Sequence, residues 1–199
     1  MKYSEYRAKA QSLDIVLFSG KGRISRAIKW ATESNKSHVA LTLHAHEYDC
    51  LALFESTTLS DIPDLVSDKP MKGAQLVNMS SRLKSYDGKV WVRQIIGPRT
   101  HRQKHLAMDV MREFWGRPYE QDEIELIRSA LDIKNIPFLT NQPDASSVFC
   151  SELAAIMLRK TGILQEGQSP NEFTPADFER DLDLHKGYSL AEPVPIELD

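Results

Sequence analysis

Cysteine is almost absent from this sequence: Cys50 and Cys150 are the only two in 199 residues. Two thiols cannot form a disulfide framework, so the fold must rest on a buried core, which a chain of this length can supply within one domain. Long hydrophobic runs are missing as well. The first apolar stretch, residues 13–18, is interrupted by Asp14 and is too short for the core of a secretory signal. Nothing approaches the ~20 apolar residues of a membrane span. Basic charge is not in excess either, with 25 Lys and Arg against 28 Asp and Glu and a net charge of −3. That balance excludes dedicated nucleic-acid binding through a basic field. With 41% apolar and 27% charged residues, disordered and collagen-like architectures are excluded too. These absences predict a cytoplasmic, globular chain of enzyme size.

What is present comes in two halves. Residues 13–18 read as a strand ending at the turn Ser19-Gly20-Lys21-Gly22, whose glycines relieve crowding. Ile24, Ala27, Ile28 and Ala31 then recur at helical spacing, with Trp30 beside them. Residues 39–43 and 50–54 read as an antiparallel pair across a polar turn at 45–49, which brings Val39 near Phe54 and His38 near Glu55. Residues 57–73, with Pro63 and Pro70, read as a loop, and 74–79 and 90–96 as further strands. After Gly97-Pro98 the pattern turns helical. Leu106, Val110, Met111 and Phe114 share one face, residues 123–133 and 148–160 follow as helices, and 137–143 is a break. Thr174-Pro175-Ala176-Asp177 has the form of a helix start, with Thr as cap and Pro at the first position. Strands first and helices later predict an α+β fold with a mainly antiparallel sheet. One domain over residues 1–199 is expected, with a core at about 13–182 and a tail at 183–199.

Three segments could carry chemistry. Cys150, in Phe149-Cys150-Ser151-Glu152, falls in the first turn of a helix, where the macrodipole and unpaired N–H groups favour thiolate, the nucleophilic form. Taken alone it also suits a small core residue. His38 opens an apolar strand, from which a rigidly held imidazole can face a cleft and activate a cysteine, or simply meet solvent at the strand edge. Glu55 ends the partner strand and can fix the histidine tautomer, or be a solvated strand-end carboxylate.

Taken together and in this order, the chain resembles the circularly permuted NlpC/P60 papain-like proteins, the YiiX/YaeF-like permuted amidases. The resemblance rests on Asp14-Ile15-Val16-Leu17, the helix with Trp30, Ser37-His38-Val39, Phe54-Glu55-Ser56, Gly116-Arg117-Pro118-Tyr119, Phe149-Cys150-Ser151-Glu152-Leu153 and Thr174-Pro175-Ala176-Asp177-Phe178. Histidine precedes cysteine here, the reverse of the ordinary papain-like order, as permutation requires. The resemblance implies a small antiparallel sheet packed on the cysteine-bearing helix. It implies Cys150 as nucleophile, His38 as general base and acid, and Glu55 as the orienting group. Tyr119, Ser37 and Ser151 are expected at the substrate, a peptide or an acyl lipid. The reaction would pass through a thioester and use no cofactor. The alternative is a non-catalytic module that keeps the cleft for a peptide, lipid or partner protein. Between Glu55 and Gly116 the sequence matches no pattern of that family.

Other motifs yield to simpler readings. Gly20-Lys21-Gly22-Arg23-Ile24-Ser25 lacks the alternating strands and helices of a dinucleotide fold and the Lys-Ser/Thr ending of a phosphate loop. His44-Ala45-His46 with Cys50 lacks a second pair at structural-zinc spacing and reads as a polar hairpin tip; no metal is expected. Arg99, His101, Arg102, Lys104 and His105 read as a solvated helix start.

Overall fold

The uninterrupted apolar character of residues 15–18 has a simple origin: the strand they form is covered on both faces. The computed structural model describes residues 1–119 and 149–199; the helix expected at 123–133, the break at 137–143, and Ser147 and Val148 lie outside the described residues. β1 (Ile15–Gly20) is followed by α2 (Arg23–Ala31), and a five-residue helix, α1 (Tyr3–Arg7), precedes it. The hairpin β2 (His38–Ala45) and β3 (Cys50–Thr57) comes next, then β4 (Gly73–Asn78), α3 (Met79–Ser85), β5 (Gly88–Arg93), β6 (Ile95–Ile96) and α4 (His101–Phe114). The cysteine-bearing helix α5 (Cys150–Lys160) and two short strands, β7 (Ser189–Leu190) and β8 (Val194–Ile196), complete the described α-helices and strands. The strands form a six-stranded antiparallel sheet in the order β4-β3-β2-β1-β5-β8, and β6 pairs with β7 separately. The architecture is α+β, as expected.

Alternate residues of each strand serve two cores. Leu17, Leu41, Leu43, Phe54 and Leu76 meet α4 and α5 through Val110, Met111, Leu153 and Met157. Val16, Phe18, Ala40, Leu53, Val77 and Val92 meet Tyr3, Tyr6, Met79 and Ile196 on the other face. Two covered faces remove the alternation of apolar and polar residues that a half-exposed strand shows. The last residues belong to this packing: Ile196 pairs with Val90 and is buried.

The structure revises several local expectations. The hairpin aligns Ala45 with Cys50 and Leu41 with Phe54, two residues away from the expected pairing of Val39 with Phe54. A slip of two leaves every side chain on its face, so His38 and Glu55 still meet, as diagonal neighbours. The 74–79 strand stops at Asn78, whose Oδ1 accepts the amides of Ser80 and Ser81 and so starts α3, a helix the apolar pattern did not suggest. The 90–96 strand breaks at Gln94 into β5 and β6. Thr174 begins a turn rather than a helix, its amide and hydroxyl both donating to Asp177 at 2.7 Å. Arg99 is not solvated. Its side chain is buried, donating to Ser12 O at 2.9 Å and Ile95 O at 2.8 Å, with Asp14 at 3.8 Å.

The 57–73 segment is a loop, as expected, and one buried carboxylate organises it. Asp64 accepts the amides of Val66, Ser67 and Leu76 at 2.7–3.0 Å and the indole N–H of Trp115 at 3.2 Å. Asp64→Asn replaces one acceptor oxygen with a donor facing N–H groups, so it should lower stability by about 1–2 kcal/mol in urea denaturation.

Candidate active site

His38 is the first residue of β2, and its ring is pinned on two sides. Nε2 lies 2.6 Å from Glu55 Oε2, and the Phe18 ring sits at a centroid distance of 5.1 Å, tilted by 51°. Glu55 is 1% exposed. A carboxylate buried to that degree needs a counter-charge, and Arg82 of α3 supplies it, its Nε donating to Glu55 Oε1 at 2.8 Å. Arg82 is itself fully buried, and its Nη1 donates to Asp61 Oδ1 at 2.7 Å. Cys150 arrives from the helical side of the sheet, at the N-terminus of α5, which packs against β2 and β3. It lies close enough to act on the His38 imidazole. The structure thus brings together Cys150, His38 and Glu55.

The electrostatics follow from this packing. Burial disfavours the His38 imidazolium, yet the charge and hydrogen bond of Cys150, followed by those of Glu55, outweigh it and raise the pKa from 6.5 to about 9. Burial also pushes the Glu55 carboxyl upward. The Arg82 guanidinium and then His38 overcome this and hold it below its ordinary value. Tyr86, next to the site, is pushed up to about 12, chiefly by burial. Ser37 acts on it in the lowering direction, and the charges of Glu55 and Cys150 in the raising one. A Cβ at Gly20 would lie 2.8 Å from that phenol oxygen and 2.4 Å from Ser25 Oγ, which is why the turn there carries glycine.

The remaining expected residues divide. Tyr119 packs its ring against Phe149 at 5.1 Å, beside Cys150. Ser37 is in the interior, its hydroxyl accepting the Gly20 amide at 3.1 Å and so joining the end of β1 to the start of β2. Ser151 is fully buried and donates to Phe173 O at 2.6 Å, tethering α5 to the C-terminal segment. Both serines hydrogen-bond the protein's own backbone.

Arg82, Asp61 and Tyr86 were not anticipated. The sequence carries a cap signal, Asn78 before Met79-Ser80-Ser81, which marks the helix but not the burial of Arg82 in its last turn. His44 and His46 stack at 6.0 Å, and His44 Nε2 lies 2.9 Å from Ala10 O. Among the described residues no group of three or more His, Cys, Asp or Glu side chains could hold a metal ion. A cavity of about 410 Å³ lies at this end of β2, away from His38, and is lined by His44, His46, His105, Met111 and Trp115.

A six-stranded sheet backed by a cysteine-bearing helix, with a buried histidine–glutamate pair, makes this an α+β protein. Its fold is that of a solved protein described as metalloprotein yiiX from Escherichia coli O157:H7, DUF1105. The two share 16% sequence identity at a TM-score of 0.57, over 92% of this chain and 97% of the other. No family model and no curated protein sequence matches the chain. Among the described residues no helix is long and apolar enough to cross a membrane.

Proposed function

We propose that this chain is a cysteine hydrolase of the permuted papain-like type, cleaving an amide or ester bond of a peptide or acyl substrate. The observation that supports this best is the convergence on one buried imidazole of Glu55, at 2.6 Å, and Cys150, at a helix N-terminus. In this reading the Cys150 sulfur attacks the acyl carbon, forming the C–S bond while the carbonyl electrons move to oxygen. The first-turn amides of α5, which have no intrahelical acceptors, stabilise that oxyanion. The oxyanion collapses, the bond to the leaving group breaks, and the His38 imidazolium gives its proton to the departing nitrogen or oxygen. Neutral His38 then takes a proton from water as the water oxygen bonds to the thioester carbon, and the C–S bond breaks to release the acid and restore the Cys150 sulfur anion beside the imidazolium. Glu55 keeps the ring in one orientation through both halves. Tyr119, against Phe149, would line the acyl side of the cleft.

A binding module is the second reading, and the 2% exposure of Cys150 favours it. Iodoacetamide at neutral pH separates the two. The hydrolase reading expects Cys150 to be carbamidomethylated at least about tenfold faster than Cys50, followed by peptide mass spectrometry. Equal, slow labelling of both cysteines would sink it. Acyl-thioester probes, muropeptides and phospholipids then identify the substrate through the mass of the acyl group trapped on Cys150.

A further inference from the structure

Among the described residues Glu55 is the one carboxylate that touches His38, but Glu55 alone does not explain the arrangement around it. We propose that Arg82 is a positioning residue of the site: it holds Glu55 ionised and aims its Oε2 at His38, and Asp61 in turn fixes the guanidinium. This rests on the reading of His38 and Cys150 as a catalytic pair and adds to it the group that sets the state of the third member.

The two oxygens of Glu55 are divided between partners. Oε1 takes Arg82 Nε at 2.8 Å, which leaves Oε2 for His38 at 2.6 Å. Rotation of the carboxylate would break both contacts, so the guanidinium fixes the direction in which the histidine is held. Asp61, with a 40% exposed side chain, binds Nη1 at 2.7 Å from the loop that follows β3. The third nitrogen, Nη2, is buried with no hydrogen-bond partner among the described residues. An arginine present only to fill space would not leave a buried donor unmatched. Its placement is explained by the charge it delivers to Glu55, whose own burial opposes ionisation.

The consequence concerns the proton shared along His38–Glu55. With Arg82 present, Glu55 stays anionic whether His38 is charged or neutral, so the imidazole can give and retake a proton without the carboxyl competing. Without Arg82, a buried Glu55 would compete for that proton, and His38 would lose its oriented anion as the pH falls.

The test uses the full chain with Arg82→Lys, Arg82→Met and Asp61→Asn. The first readout is the Glu55 side-chain ¹³C carboxyl titration, which does not depend on any activity. Arg82→Met should raise the Glu55 midpoint by more than one pH unit, Arg82→Lys should restore most of the wild-type value, and Asp61→Asn should give a smaller upward shift. The second is the acid limb of the pH profile for Cys150 alkylation, which should move upward in the same order. A merely structural role would lower thermal stability and leave both midpoints in place, and that result in a folded Arg82→Met protein overturns the proposal. If Arg82→Met does not fold, Asp61→Asn and Arg82→Lys decide, and a Glu55 midpoint unmoved in both overturns it. The outcomes remain separable: slow wild-type Cys150 labelling removes the hydrolase reading, whereas fast labelling with an unmoved Glu55 removes only the role of Arg82.

Discussion

His38→Ala should slow the alkylation of Cys150 by about 10²-fold or more at neutral pH while leaving Cys50 unchanged. Cys150 acts on the His38 imidazole, and a charged imidazole beside a cysteine favours the nucleophilic form that iodoacetamide attacks. Cys50 begins β3 at the other end of the hairpin, aligned with Ala45, and serves as an internal control on general accessibility. The pH dependence carries a second signature. His38 has its pKa raised to about 9, so below that value the ring is the charged partner of Cys150, and above it the partner is lost. The wild-type rate profile should therefore change near pH 9, and this step should vanish in His38→Ala.

Stability should follow the same group with a definite sign. A raised native pKa stabilises the folded state fully below the ordinary value of 6.5, and that contribution disappears as pH rises through about 9. Wild type should lose thermal stability across that window, and His38→Ala should lose less. A profile identical in both proteins would show that His38 does not carry the charge assigned to it.

Gly73→Ala should be the most damaging of the conservative substitutions outside the site. Gly73 opens β4 with φ +97°, and a Cβ there would stand 2.1 Å from the carbonyl oxygen of Arg117. That oxygen cannot move freely. It accepts the Ala74 amide at 2.8 Å, while the Gly116 amide donates to Ala74 O at 2.8 Å, so residues 116–117 cover the open edge of the sheet. Backbone strain and the clash together should cost about 3 kcal/mol or more, a fall in Tm of roughly 10 °C for a chain of this size. Gly116→Ala is the matched control. Its φ is +80°, but nothing lies within 4 Å of its Cβ position, so only the strain of about 1–2 kcal/mol applies. The edge segment also leads to Tyr119, which packs on Phe149 next to Cys150. Loss of that register should therefore change Cys150 alkylation as well as stability, and differential scanning calorimetry with the alkylation rate checks both.

The hairpin shows how much of the site was legible. A sequence pattern with period two tells which face a residue occupies, so His38 and Glu55 could be paired even with the register misjudged by two. Cys150 was equally accessible, because a helix start is written locally in its cap and first turn. Arg82 was not. Its partner Glu55 is 27 residues away, and nothing in a buried arginine's own neighbourhood distinguishes it from the exposed arginines of an ordinary surface helix. Arg99 illustrates the same limit from the other direction: a run of basic residues looked like a solvated face, yet one of them is drawn inward to Asp14 and two backbone carbonyls.

By itself the sequence determined what is local: the α+β class, the strands and their faces, and a cysteine at a helix mouth with a histidine and a glutamate on neighbouring strands. Tertiary structure alone decided which charges are buried together. Ser37 and Ser151 went to the protein's own backbone, while Arg82 and Asp61 joined Glu55. The physical reason is that a strand or helix announces its period in consecutive residues, whereas desolvation, and with it the pairing a buried charge requires, exists only once distant segments have excluded water from between them.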